Sequence, residues 1–178
     1  MLGRITDVSS TAISTTSFTL DCGDQSVTVA NALFDSNTAA SGGALGMPSH
    51  HKNALFKVSA STFAHNTATH GRGGAAFASG PNSGFLFSEG CSFLDNSAAR
   101  DGGAVSVMDS AGMQATDVVA KRNRAAHDGG FLHASFASPM ALSCVVRHDD
   151  PMASQLSLKG LARMLGENEV MVCAACVR

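Results

Sequence analysis

Two carboxylates carry the clearest hint of chemistry in this sequence. Asp101 and Asp128 each stand immediately before a glycine pair, Gly102-Gly103 and Gly129-Gly130, and lie 27 residues apart. If the chain repeats with that period, the two side chains sit on successive turns of the repeat, about one strand spacing, 4.8 Å, from each other. Carboxylates that close raise one another's pKa or hold a cation. Such a pair can also act as acid and base on a polysaccharide, although an inverting hydrolase needs about 6.5–9.5 Å between the two. The same column holds Ser41 and Arg72 in the earlier copies, and Arg100 and His127 directly precede the two aspartates. Cations so placed neutralise carboxylates in an exposed turn. We therefore expect no catalytic residue, with Asp101 and Asp128 as the alternative.

The other residue types able to do chemistry are scattered. The histidines His50, His51, His65, His70, His127, His133 and His148 show no local metal-ligand spacing and are expected on the surface. Cysteines 22, 91, 144, 173 and 176 are odd in number and share no column, so no disulfide framework is indicated. Cys173 and Cys176 form a C-x-x-C, but a zinc site wants a second pair and a redox site a βαβ setting. No cofactor and no metal are expected.

The elements that would position Asp101 and Asp128 come from a recurring phrase. Phe34, Asn37 and Ala39 lead to Gly42-Gly43-Ala44; Phe63, Asn66 and Ala68 to Gly73-Gly74-Ala75; Phe93, Asn96 and Ala98 to Gly102-Gly103-Ala104. A worn copy runs from Ala120, Asn123 and Ala125 to Gly129-Gly130-Phe131. The asparagines are 29, 30 and 27 residues apart, a period that marks a stacked solenoid.

Counting back from the asparagine, period-two apolar positions predict an inward strand face of Val27, Val29 and Phe34; Phe56, Val58 and Phe63; Leu86, Ser88 and Phe93; Met113, Ala115 and Ala120. After the glycines a second strand is predicted, with Leu45 and Met47, Ala76 and Ala78, Val105 and Val107, and Leu132 and Ala134 inward. Asn tolerates the left-handed backbone of a tight corner, and stacked amides can satisfy one another there. A fifth copy begins at Met140 and fades at Asp150 and Pro151.

We divide the chain into an N-terminal strand or cap (1–25), β-helix repeats (26–150) and a C-terminal cap (151–178). Leu156, Leu158, Leu161, Met164 and Leu165 fit a short capping helix, and residues 170–172 an edge strand. The lateral turns at 46–53 and 80–84 are places where binding determinants are displayed.

Composition narrows the function. Only 15% of residues are charged, against about 25% in an ordinary domain, and the net charge of −2 comes without a basic cluster, so nucleic acid is not an expected partner. The ten aromatic residues are all Phe. Sugar-binding grooves usually present aromatic rings with a polar edge, so a glycan enzyme is disfavoured. No signal peptide and no membrane span are recognised, and membrane attachment would need segments outside this chain.

A Phe-x-x-Asn followed by Gly-Gly-Ala at this period resembles the repeat of the chlamydial polymorphic outer-membrane proteins, over about residues 26–135. The resemblance implies an all-β fold, a right-handed parallel β-helix of the pectin-lyase-like class with four to five coils. It also implies an extracellular or cell-surface location, as an adhesive face or structural stalk with a protein or glycan ligand. Two readings stand beside it: a lyase, hydrolase or carbohydrate-binding β-helix acting on polysaccharide, and a fragment with no independent role.

Overall fold

Short strands bounded by positive-φ residues and glycine pairs set the path of the chain. The computed structural model describes residues 12–13, 18–19, 26–47, 49, 53–135, 140–148 and 171–172. Every regular element among them is a strand, and every strand pairing is parallel. The result is a β-solenoid.

Each coil uses four strand positions, where at least two were expected. In the second coil they are Leu55–Ser59, Thr62–Ala64, Thr67–Ala68 and Ala76–Ser79. In the third they are Gly84–Ser88, Ser92–Leu94, Ser97–Ala98 and Val105–Met108. Each strand pairs with its equivalent, as Phe63 does with Phe93, Ala68 with Ala98 and Ala76 with Val105. In the fourth coil the first two positions fuse into one strand, Gly112–Lys121, which joins two stacks into a single large sheet.

Met140–His148 lies on that strand from Met113↔Met140 to Lys121↔His148, beginning a fifth coil, and Met171–Val172 pairs with Ala141–Leu142 beyond it. At the other end, Ala12–Ile13 pairs with Leu33–Phe34, and Phe18–Thr19 with Leu45–Gly46. The capping helix expected over 156–165 and the boundaries at 25 and 150 lie outside the described residues.

The core is a set of side-chain stacks that follow the coils. Phe34, Phe63 and Phe93 form a ladder with ring centroids 4.8 and 4.9 Å apart and planes within 6°, the strand spacing expressed in side chains. Leu45, Ala76, Val105 and Leu132 fill the wall after the glycines and are buried, as are Met47, Ala78, Val107 and Ala134.

One register expectation fails. In the third coil Phe85 and Phe87 face inward, paired with Phe56 and Val58, while Leu86 and Ser88 face outward. The cause is one extra residue at the corner. Ser59 and Thr62 are separated by two residues, but their partners Ser88 and Ser92 by three, and the surplus is absorbed at exposed Gly90 (φ +76°). Because strand side chains alternate, counting back across one inserted residue exchanges the faces.

Candidate functional site

The two candidate aspartates sit on the corner that leads into the fourth strand position. Gly102 takes φ +66°, and a side chain there would strike the Val105 carbonyl; at Gly103 a Cβ would meet the Gly130 carbonyl of the next coil. Left-handed backbone at the first glycine and close approach at the second explain the pair. Gly102 N–H donates to the Asp128 carbonyl at 2.8 Å, and Gly73 N–H to the Asp101 carbonyl at 3.0 Å. Arg72, Asp101 and Asp128 are therefore one column, as the sequence indicated.

Asp101 is not the exposed turn residue that was expected, being only 6% exposed. The corner folds back over the outward column of the fourth strand, which runs Gly46, Phe77, Ser106 and His133. A Cβ on Gly102 would lie 2.9 Å from that of Ser106. Ser106 is fully buried, and His133, expected on the surface, is 5% exposed.

Asp101 Oδ2 accepts a 2.7 Å bond from Arg72 Nε, while the Arg72 guanidinium also reaches Met108 Sδ at 3.7 Å. Burial pushes the Asp101 carboxyl up. The Arg72 hydrogen bond and the charges of His133, Arg72 and Arg100 together outweigh that, so it lies below the ordinary carboxylate range. Asp128, half-buried, stands on the next coil. The structure thus brings Asp101 and Arg72 together, adds Ser106 and His133, and assigns the nearer aspartate to an internal ion pair.

The asparagine column is a structural device. Nδ2 of Asn37, Asn66 and Asn96 each donates at 2.9 Å to Oδ1 of the next asparagine, and Nδ2 of Asn66, Asn96 and Asn123 also donates to the Phe34, Phe63 and Phe93 carbonyls. The left-handed corner residue, however, is the one before each asparagine: Ser36 (φ 59°), His65 (54°), Asp95 (53°) and Arg122 (51°). With its amide committed inside the wall, the asparagine leaves the turn to its neighbour.

Among the described residues no group of three His, Cys, Asp or Glu could hold a metal ion, and no helix is long and apolar enough to cross a membrane. Cys91 is buried; desolvation pushes its thiol up, and it donates to the Ser88 carbonyl. His70 and His127 are exposed. His50 and His51 lie outside the described residues, as do Cys22, Cys173 and Cys176.

One full motif, from the corner before Phe93 through Asn96 and Gly102-Gly103 to the inward Val105 and Val107, is what known sequences recognise. Residues 90–107 match the family model for the Chlamydia polymorphic membrane protein (Chlamydia_PMP) repeat. The match falls on the third coil and includes Asp101. No curated protein and no solved structure matches the chain.

Proposed function

We propose that the chain is a non-enzymatic β-helical module of a surface or secreted protein, working as an adhesive face or a stalk with a protein or glycan as ligand. The observation that carries this reading is the match of residues 90–107 to the polymorphic membrane protein repeat, on a coil whose every inward position is used for packing. The Arg72–Asp101 pair supports the absence of catalysis. An acid or base must exchange a proton with substrate within hydrogen-bond reach, whereas the Asp101 carboxylate is buried and bonded to a guanidinium.

Display falls to the lateral turns. Asn53 and Asn82 take positive φ at successive turns, joined by a 3.0 Å bond from Asn82 Nδ2 to Asn53 Oδ1, and Pro81 and Asn82 are exposed. The experiment is twofold. Folded chain is incubated with pectin, polygalacturonate and related polymers, with and without calcium, and no reducing ends or unsaturated products are expected. Labelled chain is then applied to glycan arrays and cultured epithelial cells, where saturable retention that weakens in Asn82→Ala marks an adhesive face and its absence marks a stalk. Turnover abolished by Asp101→Asn or Asp128→Asn would replace this reading with the polysaccharide enzyme.

A further inference from the structure

The left-handed corner before the asparagine row carries His65, Asp95 and Arg122, and with Asp35, the strand residue just before the corner Ser36, these side chains form a line in which carboxylates alternate with an imidazole and a guanidinium. Asp35 ends the strand Leu33–Asp35 on the first described coil, and its Oδ1 lies 2.8 Å from His65 Nδ1 on the second. The other ring nitrogen, Nε2, lies 3.9 Å from Asp95 Oδ2 on the third. Asp95 is in turn gripped from the fourth coil by Arg122, whose Nε and Nη2 donate to Oδ1 and Oδ2 at 2.6 Å each. The groups that face the ring or its partners are Asp35 with the Ser36 hydroxyl on one side, and Asp95 with Arg122 and Arg124 on the other.

A neutral imidazole has one N–H and one lone pair, whereas the imidazolium has two N–H donors. Only the second form can serve both carboxylates. In the neutral form the N–H belongs on Nδ1, where the short contact to Asp35 is, and the Nε2 lone pair then faces the Asp95 carboxylate. The Arg122 hydrogen bond holds the Asp95 carboxyl below its ordinary range, so the acceptor stays ionised at neutral and mildly acid pH.

We propose that Asp35, His65, Asp95 and Arg122 form a proton-gated clamp across four coils, closed when His65 carries both ring protons and open at the His65–Asp95 joint when it carries one. The Asp35–His65 and Asp95–Arg122 joints hold in both states, so the gate lies between the second and third coils. Because His65 is 60% exposed, the effect has the size of a surface ion pair, about two- to five-fold in local opening.

Two measurements on the full chain test this. The long-range proton–nitrogen correlation of the His65 ring at pH 8 is expected to show the Nδ1–H tautomer; a dominant Nε2–H tautomer overturns the proposal. Amide exchange at His65, whose N–H is bonded to the Leu94 carbonyl at 3.0 Å, is then compared at pH 6 and pH 8 after correction for intrinsic rates. Protection should be about two- to five-fold higher at pH 6, with the gain lost in Asp95→Asn and in His65→Gln. No gain in the unmodified chain, or an equal gain in Asp95→Asn, overturns the proposal; if His65→Gln does not fold, Asp95→Asn carries the comparison alone.

Discussion

Asn96 Nδ2 donates to Asn123 Oδ1 at 2.9 Å within the buried wall, while Asn96 Oδ1 accepts both the backbone N–H and the Nδ2 of Asn66. One amide thus holds three coils in register. Replacing Asn96 with Leu removes the acceptor for two Asn66 donors and the donor to the Phe63 carbonyl. An orphaned buried group costs about 1–3 kcal/mol, so Asn96→Leu should lower stability by at least that much in urea unfolding. Asn82→Gly removes a similar amide bond at an exposed turn, with a residue that accepts its positive φ, and should shift stability by less than about 0.5 kcal/mol. Equal losses at the two sites would contradict the ladder's role.

Phe63 lies between the rings of Phe34 and Phe93 and meets the edge of Phe87 at 5.9 Å. Its truncation empties the middle of the core. Phe63→Ala should cost about 3–5 kcal/mol, read from the denaturant midpoint at unchanged m. A loss under about 1 kcal/mol is incompatible with an internal ring of this size.

The corrected register of the third coil has its own test. Phe85 stacks on Phe56 at 5.9 Å inside the solenoid, whereas Leu86 is half-buried on its outer surface. Phe85→Ala should cost about 3–5 kcal/mol, and Leu86→Ala about 1 kcal/mol or less. The opposite order would restore the register counted back from Asn96.

What could be read from the sequence was what repeats. The Phe34, Phe63, Phe93 ladder, the asparagine row and the wall from Leu45 to Leu132 each place similar residue types in one column, and all are found there. Gly90 broke the count because a single inserted residue at a corner leaves the motif intact while exchanging strand faces. The left-handed corner was misplaced by one position because its occupants, Ser36, His65, Asp95 and Arg122, have no residue type in common. Asp101 was identified, but its burial was not. That burial comes from the glycine corner folding onto the outward column of Phe77, Ser106 and His133, which alternation sets opposite the inward Ala76, Val105 and Leu132; Phe77 in an outward place was the available signal.

Gly103 tests that close packing. A methyl there would meet the Gly130 carbonyl and the Arg124 backbone, neither of which can move without parting the coils. Gly103→Ala should therefore be destabilising beyond the usual 0.5–3 kcal/mol of a point change, at about 3 kcal/mol or more. At exposed Gly90 a Cβ meets nothing within 4 Å. Gly90→Ala then carries only the cost of its positive φ, about 1–2 kcal/mol, and thermal unfolding of the two variants should rank them in that order.

Arg72 and Asp101 give the pH prediction. The folded Asp101 carboxyl lies below its ordinary range, so the native state favours the ionised form more than the unfolded chain does. Its stabilising contribution is then fully present above the unfolded value of about 3.9 and is lost as pH falls through the lower folded value. Asp101→Asn should be less stable than the unmodified chain at pH 7, with the gap narrowing steadily below about pH 4. Arg72→Met should reproduce the loss at pH 7 by leaving the buried carboxylate without its main donor. Arg72 keeps 23% of its side-chain surface in water, so the loss should be about 1–3 kcal/mol, below the 3–5 of a fully buried pair. Thermal unfolding of the three chains from pH 7 to pH 3 checks the sign; a gap that widens in acid would mean that the carboxyl is held above its ordinary range, with burial outweighing Arg72.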